Sequence, residues 1–268
     1  MKNMIRQHMT CTMVTIQLVS DLHIEFRNDE FVDPLSMITP SADVLVLAGD
    51  IGSLYKYDQL CNFLSKCALL FKHTLYIPGN HEYYVPPDHG GVGVPIRELK
   101  VRLRQLDESI PNFTVLDREC VILGRTMIAG ATLWSDMEGF DVPKYIVRMC
   151  GISNRLYSEL FKQDLAFIES TVEYCKLNNL ELVVATHHPP TKAVLEGVNK
   201  RDKFRSLYAT DLDRLLTTDN VRIWMCGHIH KNFDFITSNG TRVLGNQRGK
   251  PKDHITDYRD DLVIKLFL

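Results

Sequence analysis

The sequence predicts an α/β domain, and three observations lead there. Short apolar runs rich in β-branched residues alternate with segments of helical period. The composition, 45% hydrophobic and 24% charged over 268 residues, is that of an ordinary globular chain. His, Asp and Asn collect directly after the apolar runs, where an α/β sheet builds its ligand crevice.

Taken in order, strands are expected over 14–20, 43–48, 74–78, 126–131, 182–186 and 221–226. Helical stretches lie between them. In 56–72, Tyr57, Leu60, Cys61, Leu64, Cys67 and Phe71 repeat at helical spacing. In 155–176, Leu156, Leu160, Leu165, Ile168, Val172 and Cys175 do the same, and 96–106 is a shorter third case. After Val221 the pattern changes to short strands over 233–236, 241–245 and 261–268. Turns at Asn239-Gly240 and 246–252 join them, which reads as antiparallel structure closing one domain over 13–268. Residues 1–12 are expected to form a loosely held tail.

Lys and Arg total 31 against 33 Asp and Glu, so the net charge is −2. That counts against a protein whose main partner is nucleic acid or an anionic membrane. No apolar run reaches the ~18 residues of a membrane span. The seven cysteines are irregularly spaced and include no C-x-x-C pair, which implies reduced thiols and a soluble, intracellular, cytoplasmic protein.

The chemistry sits at the strand ends. The runs deliver, in order, Asp21-Leu22-His23, Gly49-Asp50, Gly79-Asn80-His81-Glu82, His187-His188-Pro189-Pro190 and Gly227-His228-Ile229-His230. Imidazole, carboxylate and amide oxygen form a shell suited to Mn, Fe, Zn, Ni or Co. A catalytic zinc takes about three protein ligands, so this set is too large for one ion. It suits two ions roughly 4 Å apart that share a carboxylate, the arrangement that clamps an in-line displacement at phosphorus.

The order D-L-H, G-D-I, G-N-H-E, H-H-P-P, G-H-I-H resembles the calcineurin-like metallophosphoesterases from about Ile16 to the C-terminal strands. The resemblance implies a four-layer α-β-β-α sandwich with two mixed sheets. It implies that Asp21, His23 and His230 hold a first divalent ion and that Asn80, His187 and His228 hold a second. Asp50 would bridge them, and manganese is the favoured metal. It implies that His81 contacts the phosphate and helps protonate the leaving oxygen while a metal-bridging hydroxide attacks phosphorus. The run Gly49-Asp50-Ile51-Gly52-Ser53-Leu54 lacks the Arg of the protein Ser/Thr phosphatases, whose motif reads G-D-x-V-D-R-G, and so argues against that subgroup. Glu82 stands where Asp is commoner.

The leading expectation is therefore a metal-dependent hydrolase of phosphate mono- or diesters of small molecules or nucleotides. A nuclease, with nucleic acid as substrate only, is the alternative. A silent scaffold of the same fold should lack several ligands, whereas every position here is filled. A single-metal hydrolase of a non-phosphate substrate would not need Asn80 and Asp50 in these places. Adjacent His187 and His188 cannot both point at one metal pair from a strand end, so His188 is expected to sit behind the ligands. His89 is expected to be an ordinary loop residue. Lys200, Arg201, Lys203 and Arg205 read as a solvated face, and Arg248 as structural. Trp134, Tyr83 and Tyr84 suit the core at least as well as base stacking. Loops 86–95 and 136–154 are where specificity is expected.

Overall fold

The computed structural model describes residues 13–87, 90, 92–137, 139–197, 202 and 204–267. The expected tail 1–12 lies outside them, as do His89, Lys200, Arg201 and Lys203.

Eleven strands among the described residues form two mixed sheets. In the first, β1 (Met13–Val19), β2 (Val44–Ala48), β3 (His73–Ile77) and β4 (Phe113–Val115) run parallel. There β11 (Val263–Phe267) lies antiparallel to β1 at one edge. The second sheet has parallel β6 (Thr126–Ala131), β7 (Glu181–Thr186), β8 (Val221–Met225) and β10 (Arg242–Gly245). Its edges are antiparallel: β5 (Glu119–Leu123) on β6 and β9 (Phe233–Ile236) on β10.

Period-two alternation explains how the sheets stack. Ile16 and Leu18, Val46 and Ala48, Ile128, Val183 and Ala185, and Ile223 and Met225 share one core between the two sheets. The residues between them, Leu45 and Leu47, Met127 and Ala129, Leu182 and Val184, and Trp224, belong to the core under the helices. Helices α1 (Tyr57–Leu70) and α2 (Ile96–Ser109) pack against strands of the first sheet, and α3 (Asn154–Leu177) against β6 and β7 of the second. Four layers follow, as the resemblance implied. Both strand faces are covered, and so the strands read as near-continuous apolar runs.

Three expectations need correction. The strands β4 and β5 were not foreseen: β4 has three residues, and β5 alternates weakly because it lies at an edge. Nor does the C-terminal third close the domain as one antiparallel unit. Strand β10 pairs parallel with β8, and β11 returns to the other sheet, because the edge beside β1 exposes unpaired amides that β11 satisfies. Arg205 starts a four-residue helix, α4 (Arg205–Tyr208), rather than continuing a solvated charge run.

Candidate metal centre

The strands bring all eight expected site residues to one end of the two sheets. Asp21 and His23 follow β1, Asp50 follows β2, Asn80 and His81 follow β3, His187 follows β7, and His228 and His230 follow β8. Most of these turns are strained. Asp21, His23, Asp50, His228 and His230 all have φ between 49° and 77°, in the left-handed region that non-glycine residues seldom occupy. Two glycines make the close approach feasible. A Cβ on Gly49, itself at φ 87°, would lie 2.3 Å from His187 Nδ1, and one on Gly79 would lie 2.3 Å from Asp50 Oδ1.

Two groups of ligand atoms form around Asp50. On one side His230 Nε2 is 3.3 Å from Asp21 Oδ1 and 3.0 Å from His23 Nε2, which is 3.7 Å from Asp50 Oδ2. On the other, His187 Nε2 is 3.3 Å from Asp50 Oδ1, 2.9 Å from Asn80 Oδ1 and 3.2 Å from His228 Nδ1. The two carboxylates and His187 are almost wholly buried.

Each imidazole is tied on its outer side. His187 Nδ1 donates to the Ala48 carbonyl at 3.0 Å and His228 Nε2 to the Leu207 carbonyl at 3.0 Å. His23 Nδ1 bonds Glu25 at 3.0 Å, and His230 Nδ1 bonds Asp253 at 2.6 Å. A neutral imidazole has one N–H, so these partners assign the tautomer and turn the other nitrogen's lone pair inward. Lone pairs facing one another at about 3 Å repel unless a cation or proton lies between them. The donor set therefore fits metal.

The electrostatics agree. Burial opposes protonation of His187, yet Asp50 and Asp21 hold its pKa up at about 9, so positive charge is drawn to this point. Burial raises the Asp50 carboxyl, but the surrounding histidines, His187 foremost, carry it well below its ordinary value. Burial and the neighbouring His188 and His187 push His228 well down, keeping it neutral.

Glu25 and Lys250 were not singled out in the sequence, and Glu82 was noted there without a role. Glu25 bonds His23 and His81 through the same oxygen, at 3.0 Å each, and these two partners overcome burial to bring its carboxyl to about 2. Its signal was an acid two residues past D-x-H. Glu82 is wholly buried and receives the amides of Asp50, Ile51 and Gly79 and the Tyr76 hydroxyl, which locks the turns after β2 and β3 together. Burial and the Asp50 charge push it up to about 8 while those donors favour the anion. Lys250 Nζ lies 3.2 Å from His81 Nε2, across 169 residues of chain.

His188 donates from Nδ1 to the Thr132 carbonyl and stacks on His228 with ring centroids 3.9 Å apart. One of its ring nitrogens also comes within 4.8 Å of those of His187 and His228, nearer the ligand atoms than expected. Tyr83 and Trp134 are core residues that pack on each other, whereas Tyr84 lines the cleft outside the centre. That cleft, about 650 Å³, is bounded by Asn80, His81 and His228 and, from the loop 136–154, by Tyr145, Ile146 and Arg148. Arg248 does not reach it.

The calcineurin-like phosphoesterase family model matches residues 14–232. An uncharacterised protein of Acanthamoeba polyphaga mimivirus is 24% identical over 268 residues, covering 88% of this chain and 91% of that protein. Phosphopantetheinyl hydrolase from Mycobacterium tuberculosis superposes with a TM-score of 0.66 at 16% identity, over 90% of this chain and 92% of that one. A dimetal phosphatase from Danio rerio superposes with a TM-score of 0.55 at 11% identity, over 87% and 86%. Likenesses this distant in sequence show the shared fold.

Proposed function

This chain belongs to the calcineurin-like phosphoesterase family, and from that premise we propose that it is a dinuclear-metal phosphoesterase. Its substrates would be phosphate mono- or diesters of small molecules or nucleotides. The observation that carries the reading is the inward convergence of histidine and carboxylate lone pairs whose outer atoms are all tied down. We assign Asp21, His23, Asp50 and His230 to one ion and Asp50, Asn80, His187 and His228 to the other, with Asp50 shared. When bound, two divalent ions supply Lewis acidity toward a phosphoryl oxygen and toward water. Manganese is the ion to load first; iron, zinc, nickel and cobalt suit the same donors.

The chain's own residues orient the reaction. The His81 amide donates to Asp50 Oδ1 at 2.8 Å, so the carboxylate that would serve both ions also fixes the backbone that carries the imidazole. Glu25 accepts from His81 Nδ1 and leaves Nε2 facing the cleft. Burial lowers the His81 pKa, while Asp50 and Glu25 offset part of that loss. With Nδ1–H given to Glu25 and Lys250 Nζ facing Nε2 at 3.2 Å, the neutral ring presents a lone pair at Nε2; its doubly protonated form carries the Nε2 proton that goes to the departing oxygen. Glu25 then stabilises the ring through the other nitrogen.

The test is hydrolysis of p-nitrophenyl phosphate and bis-p-nitrophenyl phosphate by protein loaded with manganese and then treated with EDTA. Turnover that vanishes with EDTA and returns with metal supports the proposal. Absence of turnover under every metal loading overturns it. The relative rate on the two esters decides between monoester and diester preference.

A further inference from the structure

The cleft beside His81 holds more positive charge than a single phosphoryl group needs. Arg148, Lys250 and Lys252 line it, and among the described residues no carboxylate does. Lys250 is directed at His81 Nε2 and lies 5.5 Å from the Phe26 ring centroid. Arg148 is half-buried, and among the described residues neither it nor Lys252 meets a carboxylate. A guanidinium partly withdrawn from water without a counter-charge is an unfavourable arrangement that an anionic ligand relieves.

The opposite character appears on the remaining walls. Tyr145 and Phe26 are 69% and 48% exposed, and both turn toward this cleft, where the Tyr145 and Phe204 rings meet edge to face at 6.1 Å. Tyr84 and Tyr208 extend the same surface. Sugar recognition would call for carboxylates and amides, and among the described residues Asn80 is the sole such side chain in the lining. An acyl chain would call for aliphatic walls, and Ile146 and Leu207 supply little of that. Flat rings and spare cations together match a planar base carrying phosphates, and a volume of about 650 Å³ suits one small molecule rather than a polymer.

We propose that the substrate is a nucleotide with a second phosphate besides the one hydrolysed, its base set against Tyr145 and Phe204 and its second phosphate held by Arg148 and Lys252. The proposal rests on the phosphoesterase reading above. In the reaction, water adds at phosphorus and the bond from phosphorus to the ester oxygen breaks. That oxygen takes a proton, and the second phosphate is untouched.

The experiment compares adenosine 3′,5′-bisphosphate, AMP, ribose 5-phosphate and p-nitrophenyl phosphate on the manganese-loaded full chain. The wild type is expected to favour the bisphosphate over AMP by about tenfold in kcat/KM. Arg148→Gln should raise the KM for the bisphosphate by about tenfold and leave p-nitrophenyl phosphate turnover within about twofold. Tyr145→Ala should raise the KM for AMP and not for ribose 5-phosphate. Equal use of AMP and the bisphosphate by the wild type overturns the second-phosphate site. So does an Arg148→Gln loss that is the same on p-nitrophenyl phosphate. A Tyr145→Ala effect equal on AMP and ribose 5-phosphate overturns the base site. A wild type inert toward every ester, p-nitrophenyl phosphate included, instead removes the phosphoesterase reading and this proposal with it.

Discussion

The two ends of the same strands make opposite use of charge. At the carboxyl ends, Asp21, Asp50 and His187 are buried, five site residues sit at strained positive φ, and lone pairs face one another. At the amino ends lies a larger cavity, about 780 Å³, lined by Arg125, Lys176, Glu181, Asp219 and Arg222. Its charges stay in water: Arg222 pairs with Glu181 at 3.1 Å while their side chains are 57% and 45% exposed. On the first sheet, Lys72 at 73% exposure pairs with Asp43 just ahead of β2 and β3. Cavity size alone therefore points to the wrong end. Desolvated charge and backbone strain persist only where the surrounding structure holds them, and that cost marks the end built for a ligand.

The comparison can be broken at its strongest point first. Asp50→Asn removes the carboxylate shared by both groups and should cut kcat by about 10³-fold or more, with metal content of the purified protein falling in parallel. Glu181→Gln at the other end should leave both unchanged; a matching loss there would erase the distinction. His81→Ala should lower kcat by about 10²- to 10⁴-fold while metal content holds, because the proposed assignment leaves its ring out of the metal ligands.

Subtler changes sharpen it. Glu25→Gln keeps the shape but weakens the tie to His81 and His23, and should lower kcat by about 10- to 100-fold with little change in KM. Manganese at about 100 times its dissociation constant should stabilise the fold by about 2.7 kcal/mol for each site filled, read as a rise in unfolding midpoint that Asp50→Asn abolishes.

The smallest effect is at the amino ends. Asp43→Asn should cost less than about 1 kcal/mol and leave activity alone. The hydrogen bond from Lys72 holds the Asp43 carboxyl below its ordinary 3.8; burial opposes it, and a hydrogen bond from Thr15 adds a lesser pull downward. That stability is present above 3.8 and is lost as pH falls through the lowered folded-state value, so the wild type and variant should converge in acid. A gap that widens in acid would refute the assignment.

Much of the architecture was legible because it is written locally. Apolar runs two faces deep announce covered strands, helical spacing marks α1, α2 and α3, and the D-L-H, G-D, G-N-H-E, H-H-P-P and G-H-I-H motifs place ligand chemistry where strands end. Strands β4 and β5 were not legible, since three residues or a half-exposed edge carry too little periodicity.

What the sequence determined by itself is the kind of donor and its place at the end of each strand. Period and turn chemistry act over a few residues, and that range suffices for both. Tertiary structure alone decided which way each donor faces and what surrounds it. The Ala48 and Leu207 carbonyls select the tautomers of His187 and His228, Asp253 anchors His230, and Lys250 reaches His81 from 169 residues along the chain. Those partners are carbonyls without sequence identity or residues far away in the chain. Only packing, with β11 returning to the first sheet, brings them within bonding distance.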